Sequence, residues 1–156
     1  MNYGNIKFYD IADGTGVRVS LFVSGCRHHC KGCFNAPTWD FNYGKPFTQE
    51  TQDKILELLA PSYIEGFSLL GGEPFEPENQ PVLAELLEEI RRTFPDKSIW
   101  CYSGYLFDKD MVPGFSVNYV YRTLYNVTTE HNTPDSFLNF IILISVRIFL
   151  HNGILL

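Results

Sequence analysis

The chain has 156 residues, 45% of them hydrophobic and 19% charged, and this is the arithmetic of one compact soluble domain that buries a core without disulfide staples. Nine prolines and 12 glycines exclude a collagen-like or broadly disordered chain. The formal net charge is −6, with no basic segment, which excludes the phosphate neutralisation that dominates nucleic-acid binding.

Residues 1–9 are polar and mixed. No charged leader precedes an apolar run there, so no secretory signal is expected and the chain is read as cytoplasmic. Asp13-Gly-Thr-Gly16-Val-Arg18 follows, where two glycines give a flexible approach to the next element. Arg18 reads either as a partner for an anionic group or as a solvated loop arginine, and these residues alone favour the second. Val17–Val23 is rich in β-branched and aromatic residues and predicts a strand. It delivers Ser24-Gly25 and a cysteine-rich loop at its C-terminal end. Residues 41–46 read as a surface turn.

Thr48 suits a helix N-cap and Glu50 the positive end of the helix dipole. Ile55, Leu58 and Leu59 recur at helical spacing over 51–60, and Pro61 ends that helix. A short apolar strand over 66–70 leads into the turn Gly71-Gly-Glu-Pro74. Val82, Leu83, Leu86, Leu87 and Ile90 mark one face of a second helix, with Pro81 near its start and Pro95 beyond its end. Arg91 and Arg92 in its last turn read as surface charge that complements the dipole. Residues 98–102 form a third strand, ending at Ser103-Gly104-Tyr105. The most apolar stretch, 140–150, falls short of the roughly 20 residues of a membrane-spanning helix and reads as a buried strand or helix. Asn126-Val-Thr128 matches a glycosylation acceptor, taken as chance where no export signal is expected.

Strand, helix, strand, helix, strand with short connections predicts an α/β fold, a parallel sheet with helical cover forming a single domain over 1–156. Ligand sites of such sheets lie at the carboxyl ends of the strands. The cysteine loop, the Gly-Gly turn and Ser103–Tyr105 all follow strands, so they gather on one rim.

Cys26-Arg-His-His-Cys30-Lys-Gly-Cys33 places three of the four cysteines within eight residues. Disulfides closing loops this short constrain little of the unfolded chain, so the cluster reads as a metal or iron–sulfur site. Three thiolates on a cubane leave one iron without a protein ligand, and an open position marks a catalytic site. The alternative is a structural zinc completed by His28, His29 or the distant Cys101. Arg27, His28, His29 and Lys31 make the loop locally positive, which favours thiolates. In the Gly71-Gly72 pair the absence of Cβ lets main chain approach a ligand, and the Glu73 carboxylate suits an ammonium group. Taken alone, that turn reads as an ordinary strand-to-helix connection.

Together, Asp13-Gly-Thr-Gly-Val-Arg18, Cys26-x3-Cys30-x2-Cys33-Phe34-Asn35 with Thr38-Trp39, Gly71-Gly-Glu-Pro74, and Trp100 leading into Ser103-Gly-Tyr105 resemble the radical S-adenosylmethionine superfamily. Within it they resemble the glycyl-radical activases of anaerobic ribonucleoside-triphosphate reductase. The likeness runs over about residues 1–110. It implies a partial, incomplete parallel β/α barrel, and a [4Fe–4S] cluster on Cys26, Cys30 and Cys33. It also implies S-adenosyl-L-methionine at the open iron, with Gly71, Gly72 and Glu73 supporting its amino group. Phe34 and Asn35 fall where the family brings the chain near the nucleotide, although the commoner aromatic position holds Gly32 here. No residue is assigned as acid, base or nucleophile. The implied partners are the anaerobic reductase, a flavodoxin-type electron donor, and a second copy of the chain in a homodimer.

Residues 111–156 depart from the family pattern. They are low in charge and rich in Phe, Ile and Leu, without a clean period, and are expected to pack poorly. Two other readings stand beside the activase. One is another small radical S-adenosylmethionine enzyme, either an activase for a different glycyl-radical protein or an enzyme like 7-carboxy-7-deazaguanine synthase. The other is a non-enzymatic, zinc-stabilised interaction module.

Overall fold

The computed structural model describes residues 1–105 and 140–144. The rest of the atypical C-terminal stretch, with Asn126-Val-Thr128, lies outside the described residues. Strands β1 (Asn2–Asp10), β2 (Val17–Val23), β3 (Lys45–Pro46), β4 (Ile64–Gly71), β5 (Ser98–Ser103) and β6 (Phe140–Ile144) form one sheet. Helix α1 (Gln49–Leu59) precedes β4, and α2 (Gln80–Thr93) precedes β5. The sheet order is β3-β1-β2-β4-β5-β6. β2, β4, β5 and β6 run parallel, while β1 pairs antiparallel with both β2 and β3. The fold is thus mixed α/β rather than wholly parallel. Among the described residues the sheet is open, with β3 and β6 at its edges.

The helices form where the sequence reading put them. Thr48 caps α1: its Oγ1 accepts the Thr51 N–H at 3.4 Å, while Thr51 Oγ1 accepts the Thr48 N–H at 3.3 Å. Pro81 sits in the first turn of α2, where a missing N–H costs nothing. β1 was not foreseen. Most of it is exposed or half-buried, so it lacks the apolar alternation of a core strand. β3 is a two-residue strand inside the expected surface turn, and β6 falls within the apolar stretch expected to be a strand or a helix.

Alternation along the strands divides the sheet into two faces. Val19, Leu21, Val23, Phe67, Leu69, Ile99 and Cys101 join Ile55 and Leu59 of α1 and Leu83, Leu86, Leu87 and Ile90 of α2 in one core. The opposite face carries Arg18, which is fully buried rather than solvated. Its guanidinium makes five hydrogen bonds. They run to Ser68 Oγ at 2.7 Å, Phe67 O at 2.7 Å, Ser98 Oγ at 2.8 Å, Ser98 O at 3.0 Å and Thr15 O at 3.2 Å. Every donor is therefore used within the fold, and none is left for an anionic ligand. Ser68 Oγ in turn donates to Asp13 O at 2.6 Å. Arg18 thus ties β2, β4, β5 and the loop before β2 together at the strand starts, opposite the cysteine rim. No helix among the described residues is long and apolar enough to cross a membrane.

Candidate metal centre

The chain leaves β2 through Ser24 and Gly25 and enters the cysteine loop under main-chain control. Gly25 N–H donates to Thr38 O at 2.8 Å and Cys26 N–H to Trp39 O at 3.2 Å, so the short 3₁₀ turn Ala36–Trp39 supports the start of the loop. Gly25 has φ of 93°, and a Cβ there would lie 2.3 Å from the Phe41 ring. The Gly-Gly turn is bonded directly to the same segment. Gly72 N–H donates to Val23 O and Glu73 N–H to Gly25 O, both at 2.7 Å. A Cβ on Gly72 would stand 2.5 Å from Gly25 O and 2.9 Å from Thr38 O, so only glycine lets these three pieces of backbone meet.

Glu73 joins all three rim loops. Its side chain is 1% exposed. Oε1 accepts the Phe75 N–H at 2.9 Å and the Ser103 hydroxyl at 2.8 Å. Oε2 accepts the Gly104 N–H at 2.8 Å and lies 3.2 Å from His28 Nε2. The His28 ring meets Tyr105 edge-on, with centroids 4.5 Å apart. The predicted gathering of the cysteine loop, the Gly-Gly turn and Ser103–Tyr105 is thus observed, and one buried carboxylate organises it.

Cys26 is buried, Cys30 and Cys33 are half-buried, and all are free of disulfides. Among the described residues no three His, Cys, Asp or Glu side chains converge closely enough to hold an ion. The loop turns at Gly32, with open space where a Cβ would sit. The expected thiolate-favouring positive charge is not found at Cys26. Burial, with the Glu73 and Glu76 carboxylates adding to it, pushes that thiol up to about 11, against the main-chain N–H groups of His28 and His29. Arg27 is neutralised by Glu76 and Glu78.

The donor set fits an iron–sulfur cluster. Three soft sulfur donors lie on one short loop, and the main-chain N–H groups of His28 and His29 are directed at the first of them. Cys101 does not complete the set. It is 1% exposed in the core, where burial holds its thiol well above the usual range. His28 is engaged with Glu73 and Tyr105, and His29 packs edge-on against Trp39 with centroids 4.6 Å apart. Phe34 stands 86% exposed. Asn35 uses its carbonyl to accept the Thr38 N–H and hydroxyl, and its side chain makes no cap bond. Sequence reading missed Glu76 and Asn79 as parts of the rim. Asn79 Nδ2 donates to both Ser24 O and Glu73 O at 3.0 Å. No local periodicity announces these residues, because Arg27 and Ser24, which they bind in the cysteine segment, lie 49 and 55 positions away.

Residues 12–125 match the family described as 4Fe-4S single cluster domain. The chain is 42% identical over 108 residues to the anaerobic ribonucleoside-triphosphate reductase-activating protein of Enterobacteria phage T4, covering 69% of each chain. It is 44% identical over 111 residues to the protein of that name from Escherichia coli K12, covering 70% of this chain and 72% of the other. The Vibrio cholerae protein of that name is 43% identical over 107 residues, covering 67% and 69%.

Proposed function

We propose a function on one premise: this chain belongs to the family of anaerobic ribonucleoside-triphosphate reductase-activating proteins. It is an activating enzyme with a 4Fe–4S cluster domain, and its partner is the anaerobic reductase. In finer terms it is a radical S-adenosylmethionine oxidoreductase of the glycyl-radical activase kind, on an incomplete β/α barrel.

Cys26, Cys30 and Cys33 would hold the cluster, and S-adenosyl-L-methionine would bind it. What the bound pair supplies is one-electron reductive cleavage of the sulfonium, the source of the hydrogen-abstracting radical that activates a glycine of the reductase. The protein contributes position and shelter. Main chain at Gly71 and Gly72 is assigned to the methionine end. Glu73 keeps that turn against Ser103 and Gly104. His28 and Tyr105 close the rim beside Cys26 against water. Phe34 and Asn35 are the residues assigned to the nucleotide side. A flavodoxin-type donor supplies the electron, and the chain works as a homodimer or in complex with the reductase.

The observation that carries this reading is the direct main-chain bonding of the Gly-Gly turn to the segment entering Cys26, through Val23 O and Gly25 O. It sets the Gly-Gly turn and the Glu73 carboxylate next to the cysteine loop. Anaerobic reconstitution with iron and sulfide tests the reading. The expected product is a brown protein with about four irons per chain that cleaves S-adenosylmethionine under dithionite and raises a glycyl-radical signal on the added reductase. Bound zinc with no cleavage contradicts it.

A further inference from the structure

Glu76 belongs to none of the motifs above, yet it is 1% exposed. A carboxylate is almost never fully buried unless it is paired. Its partner is Arg27, the residue after Cys26. Oε1 accepts the Arg27 main-chain N–H at 2.7 Å, and Oε2 pairs with the Arg27 guanidinium. The guanidinium continues to Glu78 and lies over the Phe41 ring, 4.4 Å from its centroid. Glu76 is itself held in a tight turn. Its N–H donates to Glu73 O at 3.2 Å, and its carbonyl accepts from Asn79 N at 2.9 Å and Gln80 N at 3.2 Å. A carboxylate presented from so fixed a turn makes a charge-assisted bond to main chain, roughly twice as strong as a neutral one. The exposed half of the ion pair contributes little by comparison.

The geometry points to Glu76 as a positioning residue for the cluster loop, an inference that rests on the cluster reading above. It fixes the direction in which the chain leaves Cys26, so that this ligand is presented in one orientation. Arg27 packs the outer side of the same segment against Phe41. Neither residue touches the reacting atoms.

The test compares Glu76→Ala and Glu76→Gln with the unchanged full-length protein, each with and without reconstituted iron and sulfide. Glutamine keeps an oxygen for the Arg27 N–H. Without iron, hydrogen exchange of the Arg27 amide is expected to rise on the order of tenfold in Glu76→Ala and to stay near the unchanged rate in Glu76→Gln. With iron, the electron paramagnetic resonance signal of the reduced cluster is expected to broaden in Glu76→Ala and keep its shape in Glu76→Gln. If Glu76→Ala does not fold, Glu76→Asp replaces it. Its shortened carboxylate keeps the charge but not the reach, and the same two changes are expected. Equal Arg27 exchange in all variants, or identical cluster spectra, overturns the role. A chain that takes up no iron contradicts the proposed function, and this role with it.

Discussion

Both oxygens of Glu73 are taken by the protein itself: Phe75, Ser103, Gly104 and His28 surround them. A carboxylate offers about four acceptor sites, and three of these are filled by hydrogen bonds, with His28 Nε2 3.2 Å from the same group. Glu73→Gln turns one acceptor into a donor that faces other donors. The expected cost is about 2–3 kcal/mol in denaturant unfolding of the cluster-free chain, and a cost under about 0.5 kcal/mol contradicts its role as the joint of the rim. The cysteines divide in the same concrete way. Cys101→Ala is expected to leave iron content unchanged and cost about 1 kcal/mol of stability, whereas Cys26→Ala abolishes stable iron binding. Iron lost in Cys101→Ala would restore it as a ligand. The cysteine spacing was legible in the sequence because it is local, and the Gly-Gly pair only in combination with it. Glu76 and Asn79 were not, because each acquires meaning only from a partner brought near by the sheet. Asp13 shows the same dependence on tertiary context. Burial first, then the neighbouring Asp10 carboxyl, pushes it up to about 6 against the pull of Lys7, whose Nζ lies 3.9 Å away. The folded chain thus holds a proton that the unfolded chain has released. That stabilisation is complete below the ordinary value of 3.8 and is lost as pH rises through about 6. Asp13→Asn carries a donor at every pH. Its stability relative to the unchanged chain is expected to improve by about 1 kcal/mol or more from about pH 4 to about pH 8. Equal differences at both pH values contradict this.

At the scale of elements, β2 gives both ends of the sheet their character. Its C-terminal end feeds the cysteine loop, and its start carries Arg18. Burial pushes the Arg18 pKa down, and the Trp100 ring lies 5.3 Å from the guanidinium carbon. Arg18→Met keeps the volume but leaves three carbonyls and two hydroxyls without their donor. The expected loss is about 3–5 kcal/mol, read as a lowered melting temperature, and a loss within about 1 kcal/mol contradicts the brace. Sequence periodicity sufficed for α1, α2 and the central strands, because apolar spacing reports directly on a buried face. It did not suffice for β1, where Phe8 and Tyr9 are exposed and Asn5 and Lys7 face solvent. It also could not tell whether Arg18 is solvated or buried. That answer needed Ser68 and Ser98, which are 50 and 80 positions away.

For the whole molecule, the parallel run of β2, β4, β5 and β6 brings the strand ends to one rim, and the antiparallel β1 and β3 cover the outer edge of β2. Phe140–Ile144 continues that parallel run beside β5, so part of the stretch that departs from the family pattern is built into the sheet. The convergence of loops was legible because strand-to-helix order alone dictates it. The antiparallel edge was not, because no apolar pattern marks it. The strand starts braced by Arg18 and the rim joined by Glu73 stand at opposite ends of the same strands. The most direct test of the account is electron paramagnetic resonance of the reconstituted, dithionite-reduced protein with and without S-adenosylmethionine. A cluster signal that changes shape on adding the sulfonium, and is absent in Cys26→Ala, is the predicted result. A signal that the sulfonium leaves untouched, or zinc in place of iron, contradicts it.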